Sequence, residues 1–212
     1  RLCKDSADMM RTLQSVNSQA ADVTSSSGFT SVTVPHDWSS ELPFVPKVGG
    51  AAGYLPGGQG VYVKDFVLPK GVMGKNSKCI VQFDGVYHRA TVWINGHRLG
   101  HHVYGYTGFE FDITPYLNAG KSNRMVVHVN REEQSRWYTG SGIYRHVWLR
   151  VVNATHLKTN GVCVQTALSP DRSSATVKVT AEIDTAAADK GGKFTVTHTI
   201  LGVKSRQQNG RI

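Results

Sequence analysis

A glycine-rich stretch at residues 135–142 concentrates side chains that could recognise a ligand. It reads Ser-Arg-Trp-Tyr-Thr-Gly-Ser-Gly and places Arg136, Trp137 and Tyr138 between two strand-like runs. Aromatic rings pack on the apolar faces of sugar rings, and guanidinium groups donate hydrogen bonds to hydroxyl groups. The composition therefore fits a carbohydrate site, and it fits equally well a packed corner of the fold. The residues alone leave both interpretations open.

A second motif, His36-Asp37-Trp38, stands where a strand-like run ends. One interpretation is a His–Asp pair in a pocket. The other is structural: the Asp37 carboxylate accepts hydrogen bonds from local backbone amides, and the Trp38 ring packs in the core. Because aspartate commonly fixes turns in this way, the structural interpretation is favoured.

Paired histidines and paired glutamates elsewhere do not form a site. His101 and His102 are neighbours in a strand-like run, where adjacent side chains point to opposite faces, so they cannot hold one metal ion together. Glu132 and Glu133 fail as a carboxylate pair for the same reason. The three cysteines are far apart and show no metal-binding spacing. These pairs and spacings therefore predict no metal ion and no cofactor.

Charge and hydropathy bear on the partners. The 212 residues carry a formal net charge of +9, and residues 121–180 hold nine Lys or Arg against three Asp or Glu. These cations are scattered and not clustered in one stripe, which predicts no nucleic-acid partner. No apolar run approaches the roughly 20 residues that a membrane span needs, so no membrane partner is predicted.

The cysteines and one glycosylation sequon give weak evidence about the cellular compartment. Cys79 and Cys163 lie inside apolar runs, which predicts buried free thiols. The triplet Asn153-Ala154-Thr155 is an N-glycosylation signal, used only in an exported protein. Asn153 is therefore a candidate glycosylation site, and a secreted or lysosome-like compartment is slightly favoured.

The elements that must position these side chains are strands. A polar segment with a short helix predicted at residues 5–16 comes first, and then the hydrophobic period changes to two. Asn95-Gly96 predicts a tight hairpin, because both central residues of a type I′ turn take positive φ. Short strands at regular spacing predict an all-β sandwich. They cover residues 32–34, 60–68, 79–83, 90–94, 109–113, 124–129 and 146–152.

A second set of strand-like runs follows at residues 157–166, 175–183 and 194–201. Three strands make about half of a seven-stranded sandwich. We therefore predict a first domain at residues 1–152 and a second domain, cut short, at residues 153–212.

Several stretches resemble the N-terminal part of the family 2 glycoside hydrolases, the group of β-galactosidases, β-glucuronidases and β-mannosidases. They occur in the family's order and spacing across residues 31–152, and the β-galactosidase branch is most similar, whereas residues 1–30 match poorly. The matching stretches are Val34-Pro35-His36-Asp37-Trp38, Pro56-Gly57-Gly58-Gln59-Gly60-Val61-Tyr62, Phe83-Asp84-Gly85-Val86-Tyr87, Val92-Trp93-Ile94-Asn95-Gly96, Tyr104-Gly105-Tyr106 and the run from Ser135 to Arg145.

The resemblance implies a jelly-roll sugar-binding domain at residues 1–152 and a truncated immunoglobulin-like sandwich that begins near residue 155. In the family a (β/α)8 barrel follows and supplies both catalytic glutamates, one of them in an Asn-Glu pair that this chain lacks. A barrel needs ~250 residues. The resemblance therefore implies that the chain alone does not hydrolyse glycosides, and its status as an enzyme stays open.

In the family the first domain lends a loop to the rim of the barrel's active site. By position this is the stretch at residues 135–142, the rim loop, with Arg136, Trp137 and Tyr138 as substrate-binding residues; some members have Asp at the position of Arg136. The implied partners are a β-linked glycoside or oligosaccharide and the missing catalytic domain of the same chain, and a homo-oligomer stays open. The alternative is a stand-alone carbohydrate-binding module.

Overall fold

The computed structural model describes residues 2–3, 28–132 and 135–202, and within these ranges the chain consists of β-strands and short 3-10 turns, without an α-helix. The prediction of an all-β chain is confirmed. None of the described turns is long and apolar enough to cross a membrane. The strands are β1 (Leu2–Cys3), β2 (Phe29–Thr30), β3 (Gly58–Phe66), β4 (Ser77–Phe83), β5 (Ala90–Ile94), β6 (His97–His102), β7 (Phe109–Asp112), β8 (Asn123–Arg131), β9 (Val147–Asn153), β10 (His156–Leu168) and β11 (Ala175–Asp184).

The chain divides into two compact units after Asn153, and the first unit contains two antiparallel sheets. One sheet has the strand order β2-β1-β3-β8-β5-β6, and the other has the order β7-β4-β9. Val81 of β4, Val92 of β5 and Val127 of β8 belong to one buried apolar cluster, so the core lies between the sheets. This is the β-sandwich that the alternating strands predict.

The β5–β6 hairpin confirms the turn prediction. Asn95 and Gly96 have φ of 49° and 85°, the left-handed region that this turn requires. The Asn95 side chain also connects the turn to the start of β8: its amide donates to Asn123 Oδ1 at 2.8 Å, and its carbonyl accepts from the Arg124 amide at 2.8 Å.

Two predicted strands are absent from the described structure. Residues 32–34 pair with no strand, although Val32 and Val34 pack against the core. Residues 194–201 are also unpaired, and their apolar side chains are exposed, with Ile200 at 83%. In both segments the alternating sequence does not bring a hydrogen-bonded neighbour. The helix predicted at residues 5–16 lies outside the described residues.

The second unit, as far as it is described, is the antiparallel pair β10–β11. Its register shifts between Leu157 and Val162. Cys163 is exposed here, so the prediction of a buried thiol is wrong at this position and correct at Cys79. The reason is that the described part of this unit has no second sheet to cover β10. The assignment to an immunoglobulin-like sandwich stays a prediction.

Candidate functional site

The rim loop connects β8 to β9 and carries the three predicted site residues on the surface. Arg136 is exposed, and its side chain forms no ion pair within the described parts of the chain. The Trp137 side chain is 58% exposed, and its indole N–H donates to the Tyr106 hydroxyl at 2.7 Å. A large ring held in solvent by one directed hydrogen bond is available for stacking on a ligand.

Aromatic residues of the β6–β7 connection extend this surface. The Tyr106 ring lies edge-on to Tyr104 at 5.6 Å and to Tyr87 at 5.4 Å. Gly105 permits the packing, because a Cβ there would lie 2.1 Å from the Tyr87 ring. We call Tyr104, Tyr106 and Trp137 the aromatic surface. Composition around Trp137 did not predict the two tyrosines, whose only signal was the Tyr104-Gly105-Tyr106 stretch shared with the family.

Tyr138 contacts the His36-Asp37-Trp38 motif. Its hydroxyl donates to Asp37 Oδ2. Burial, the hydrogen bond to Asp37 and the negative charge of that carboxylate together raise the pKa of the Tyr138 phenol well above its usual range. Tyr138 therefore stays protonated and serves as a hydrogen-bond donor over the whole physiological pH range.

The His36-Asp37-Trp38 motif has the structural geometry. Asp37 Oδ1 accepts from the Ser39 amide at 3.0 Å and from the Ser141 amide at 2.8 Å, and the Trp38 ring is fully buried. His36 does not pair with Asp37. Its two ring nitrogens contact the Tyr62 hydroxyl at 2.9 Å and Glu41 Oε1 at 3.0 Å. These contacts leave no His–Asp pair for proton transfer.

Arg131 is the functional-site neighbour that sequence analysis missed. Its side chain is completely buried at the end of β8, and Nε lies 3.4 Å from Thr139 Oγ1. Nη1 has no hydrogen-bond partner among the residues that the structure describes. Gly57 makes room for the guanidinium, since a Cβ there would lie 2.6 Å from Nη1. An arginine at the end of a strand ordinarily reaches solvent, so nothing in the sequence pattern indicates this burial.

His101 and His102 have different neighbours, as their adjacent positions in a strand indicate. His101 Nδ1 lies 2.8 Å from Thr91 Oγ1, whereas His102 stacks on Phe109. Glu132 contacts Gln59, and Glu133 lies outside the described residues. In the ranges that the structure covers, no three His, Cys, Asp or Glu side chains form a metal-binding group.

The sequon residue lies at a strand end. Asn153 is exposed as the last residue of β9. The hydroxyl of Thr155, the third sequon residue, accepts a hydrogen bond from the Ala186 amide at 3.0 Å. Glycosylation of Asn153 stays a prediction.

The chemistry that this arrangement offers is recognition. The aromatic surface presents apolar rings with polar edges, and the exposed Arg136 directly precedes Trp137 in the sequence. Such a combination suits a ligand with apolar faces and a rim of hydroxyl groups. The carboxylate that contacts the rim loop, Asp37, is occupied by two backbone amides and the Tyr138 hydroxyl.

Comparisons with known proteins agree with this geometry. Residues 21–152 match the family described as "Glycosyl hydrolases family 2, sugar binding domain". A β-galactosidase of Bacteroides ovatus is 44% identical over 138 residues, which are 63% of this chain and 16% of that protein. A β-glycosidase structure from Bacteroides vulgatus is 40% identical with a TM-score of 0.67 and covers 79% of this chain. A Bacteroides uniformis β-glucuronidase structure is 28% identical with a TM-score of 0.65 and covers 80% of this chain.

These similarities concern a small part of each relative. The chain spans 16% of the length of the curated B. ovatus relative, and 22% and 20% of the two solved chains. The family match nevertheless includes most of the first unit with the rim loop and the aromatic surface. The chain therefore belongs to family 2 of the glycosyl hydrolases, and it matches the sugar-binding domain of that family.

Proposed function

We propose that this chain is the non-catalytic N-terminal part of a retaining β-glycosidase, most similar to the β-galactosidases. Its rim loop then shapes the edge of an active site that a (β/α)8 domain of the same polypeptide carries. The ligand is a β-linked glycoside or oligosaccharide. The observation that carries this proposal is the exposed Trp137 ring, hydrogen-bonded to Tyr106, in a chain that matches a sugar-binding domain.

The exposure of the Trp137 ring supports a binding role over a purely structural one. A tryptophan that only fills space buries most of its ring, because burial of a large apolar side chain stabilises the fold by ~1.5–3 kcal/mol. Trp38 does so and is fully buried, whereas Trp137 is 58% exposed. Arg136 and Tyr138 flank it as the predicted substrate-binding residues.

The non-catalytic assignment is based on the chemistry of retaining hydrolysis. That reaction needs two carboxylates about 5–5.5 Å apart, one as nucleophile and one as acid and base. Asp37, the carboxylate that contacts the rim loop, is engaged by Ser39, Ser141 and Tyr138. We therefore assign both catalytic groups to the barrel domain. We further assign residues 1–152 to the jelly-roll domain and 153–212 to a partial immunoglobulin-like domain.

The first test is the size of the natural polypeptide. An antibody raised against residues 31–152 is used on extract from the source cells. A band at least about twice as large as the 23.2 kDa of this chain is expected, because a barrel adds ~250 residues to its 212. A band at the size of this chain would contradict the proposal.

The second test measures turnover in that larger polypeptide. Trp137→Ala and Arg136→Ala are expected to lower kcat/KM for a β-galactoside about tenfold with little change in Tm, because a substrate contact is lost. Trp148→Ala is the matched control: Trp148 is 51% exposed, and its indole N–H also donates to a side chain, Asp84 Oδ2, at 2.7 Å. Unchanged turnover with a lowered Tm for Trp137→Ala would assign the loop to structure alone.

A second candidate function is a stand-alone carbohydrate-binding module, which the exposure of the aromatic surface also favours. Affinity for a glycan separates the two. A rim that only completes an active site binds lactose, a β-linked galactoside, with a roughly millimolar Kd, whereas a free-standing module binds its glycan at roughly micromolar Kd. Titration of the 212-residue chain on a glycan array and by NMR distinguishes these values.

A further inference from the structure

One carboxylate connects two segments that are far apart in the sequence. Asp37 Oδ1 accepts from the Ser39 amide in its own turn and from the Ser141 amide in the rim loop. Asp37 Oδ2 accepts from the Tyr138 hydroxyl. The carboxylate thus holds the rim loop at two points, one in the backbone and one in a side chain next to Trp137.

Two backbone hydrogen bonds fix the position of Asp37 relative to the rim loop. The His36 amide donates to the Ile143 carbonyl at 2.7 Å, and the Trp38 amide donates to the Ser141 carbonyl at 3.1 Å. Gly140, with φ of 74°, lets the carboxylate approach, since a Cβ there would lie 3.1 Å from Asp37 Oδ2. The position of Asp37 is therefore set independently of Tyr138.

The positively charged side chain of Arg131 supports the rim loop at another point. The buried Arg131 guanidinium contacts Thr139 Oγ1 at 3.4 Å, next in sequence to Tyr138. A glycine-rich loop has many accessible conformations, and ordering each residue costs about 1–2 kcal/mol. Charge-assisted hydrogen bonds are the strong ones available to offset that cost.

We propose that Asp37 is a positioning residue of the sugar site: its carboxylate fixes the Tyr138 ring and thereby sets Arg136 and Trp137 in the orientation that meets the ligand. Asp37 itself does not touch the sugar. The sugar-binding part of this proposal rests on the proposed function. The residue types of the His36-Asp37-Trp38 motif indicated only a local structural role for Asp37.

Asp37→Asn tests the carboxylate with little disturbance of the turn. The amide oxygen of asparagine can still accept from the Ser39 and Ser141 amides, but its NH₂ group cannot accept from the Tyr138 hydroxyl. Glu41→Gln is the matched control, because it also neutralises a carboxylate of the same turn, and Glu41 contacts only His36 among the described side chains. Tyr138→Phe removes the same hydrogen bond from the other end.

The first readout needs no sugar. Ultraviolet titration of tyrosinate in the 212-residue chain is expected to show the Tyr138 phenol ionising at lower pH in Asp37→Asn than in wild type, beside a smaller shift at Tyr62, whose pKa the Asp37 charge also raises. Tyr138→Phe identifies that phenol by removing it, and Glu41→Gln leaves it unchanged. An unchanged titration in Asp37→Asn would overturn the inference, whatever the chain binds.

The second readout is the Kd for lactose by NMR titration. Asp37→Asn and Tyr138→Phe are each expected to weaken binding about tenfold, and the double variant no further than Tyr138→Phe alone, because residues that act as one unit are not additive. Two results would overturn the positioning role. One is that the losses of lactose affinity in Asp37→Asn and Tyr138→Phe add up in the double variant. The other is that Asp37→Asn binds lactose as wild type does although its tyrosinate titration has shifted. No lactose binding by wild type, with the titration shift present, would contradict the proposed function and confine Asp37 to structure.

Discussion

At the scale of the residue, the half-buried Asp37 and the buried Tyr62 serve structure. Asp37 is saturated by three donors, and the Tyr62 hydroxyl accepts from the Ile143 amide while it contacts His36. Buried groups of this kind destabilise a fold when one partner is removed, by about 1–3 kcal/mol each. They explain why the His36-Asp37-Trp38 motif looks catalytic in composition and is architectural in geometry.

The Cys79 thiol makes stability depend on alkaline pH. Burial first, and the Asp112 charge second, raise the pKa of Cys79 to about 11 in the folded chain. The unfolded thiol ionises at lower pH, so this contribution to stability is complete below the unfolded pKa and is lost as pH rises through about 11. We expect the free energy of unfolding to fall by roughly 2 kcal/mol across this window.

Urea denaturation between neutral and alkaline pH measures this effect. Cys79→Ala is expected to lower stability at neutral pH and to flatten the alkaline decline. Cys163→Ala is the control, because that thiol is exposed and its removal leaves the decline as in wild type. An equal alkaline slope in Cys79→Ala and wild type would exclude the thiol as its cause.

At the scale of the element, alternating hydropathy predicted a strand correctly where the segment is both buried and paired with neighbouring strands. β5 (Ala90–Ile94) matches its predicted range, because it is buried and paired on both sides by β6 and β8. Residues 32–34 also alternate but pair with none of the described strands, although Val32 and Val34 still reach the core. Alternation therefore reports side-chain burial and does not establish a hydrogen-bonded neighbour.

The candidate site was predictable only in part for a related reason. Arg136, Trp137 and Tyr138 stand together in the sequence, so composition identifies them. The Tyr138–Asp37 contact joins residues 101 positions apart, and the Trp137–Tyr106 contact joins residues 31 positions apart. Local sequence patterns cannot predict such pairs. The burial of Arg131 likewise depends on Gly57, which is distant in the sequence and directly precedes β3.

The connection between β7 and β8 depends on one buried side chain, Asn123. Its Oδ1 accepts from the Asn118 amide at 2.7 Å and from Asn95 Nδ2 at 2.8 Å, and its Nδ2 donates to the Lys121 carbonyl at 3.1 Å. Asn123→Ala leaves these groups unpaired in a buried place. We expect a loss of about 2–4 kcal/mol in the free energy of unfolding, measured by urea denaturation.

Asn118→Ala is the matched control for that variant. Asn118 is exposed on the same turn, and its side chain makes one long hydrogen bond, 3.4 Å to the Ser122 carbonyl. Its removal is expected to change stability by no more than about 0.5 kcal/mol. Similar losses in the two variants would mean that the turn's length, and not the Asn123 network, holds β7 and β8.

At the scale of the whole molecule, the carboxylates are all engaged. Each Asp and Glu in residues 28–132 and 135–202 contacts a cation or a hydrogen-bond donor. Retaining hydrolysis instead requires two facing carboxylates that are free to act on a sugar. Under the proposed function these carboxylates therefore serve structure, and the acid–base pair belongs to the barrel domain.

This distribution predicts that the 212-residue chain does not turn over 4-nitrophenyl β-galactoside or β-glucuronide. The measurement is nitrophenol release during a long incubation, with chain produced in a host that lacks its own β-galactosidase and β-glucuronidase. Trp137→Ala separates the two sources of any signal, because a host contaminant releases nitrophenol at the same rate in both preparations. Release by wild type that disappears in a folded Trp137→Ala chain would show that the chain is itself catalytic, and the assignment of both catalytic groups to a barrel domain would then be wrong.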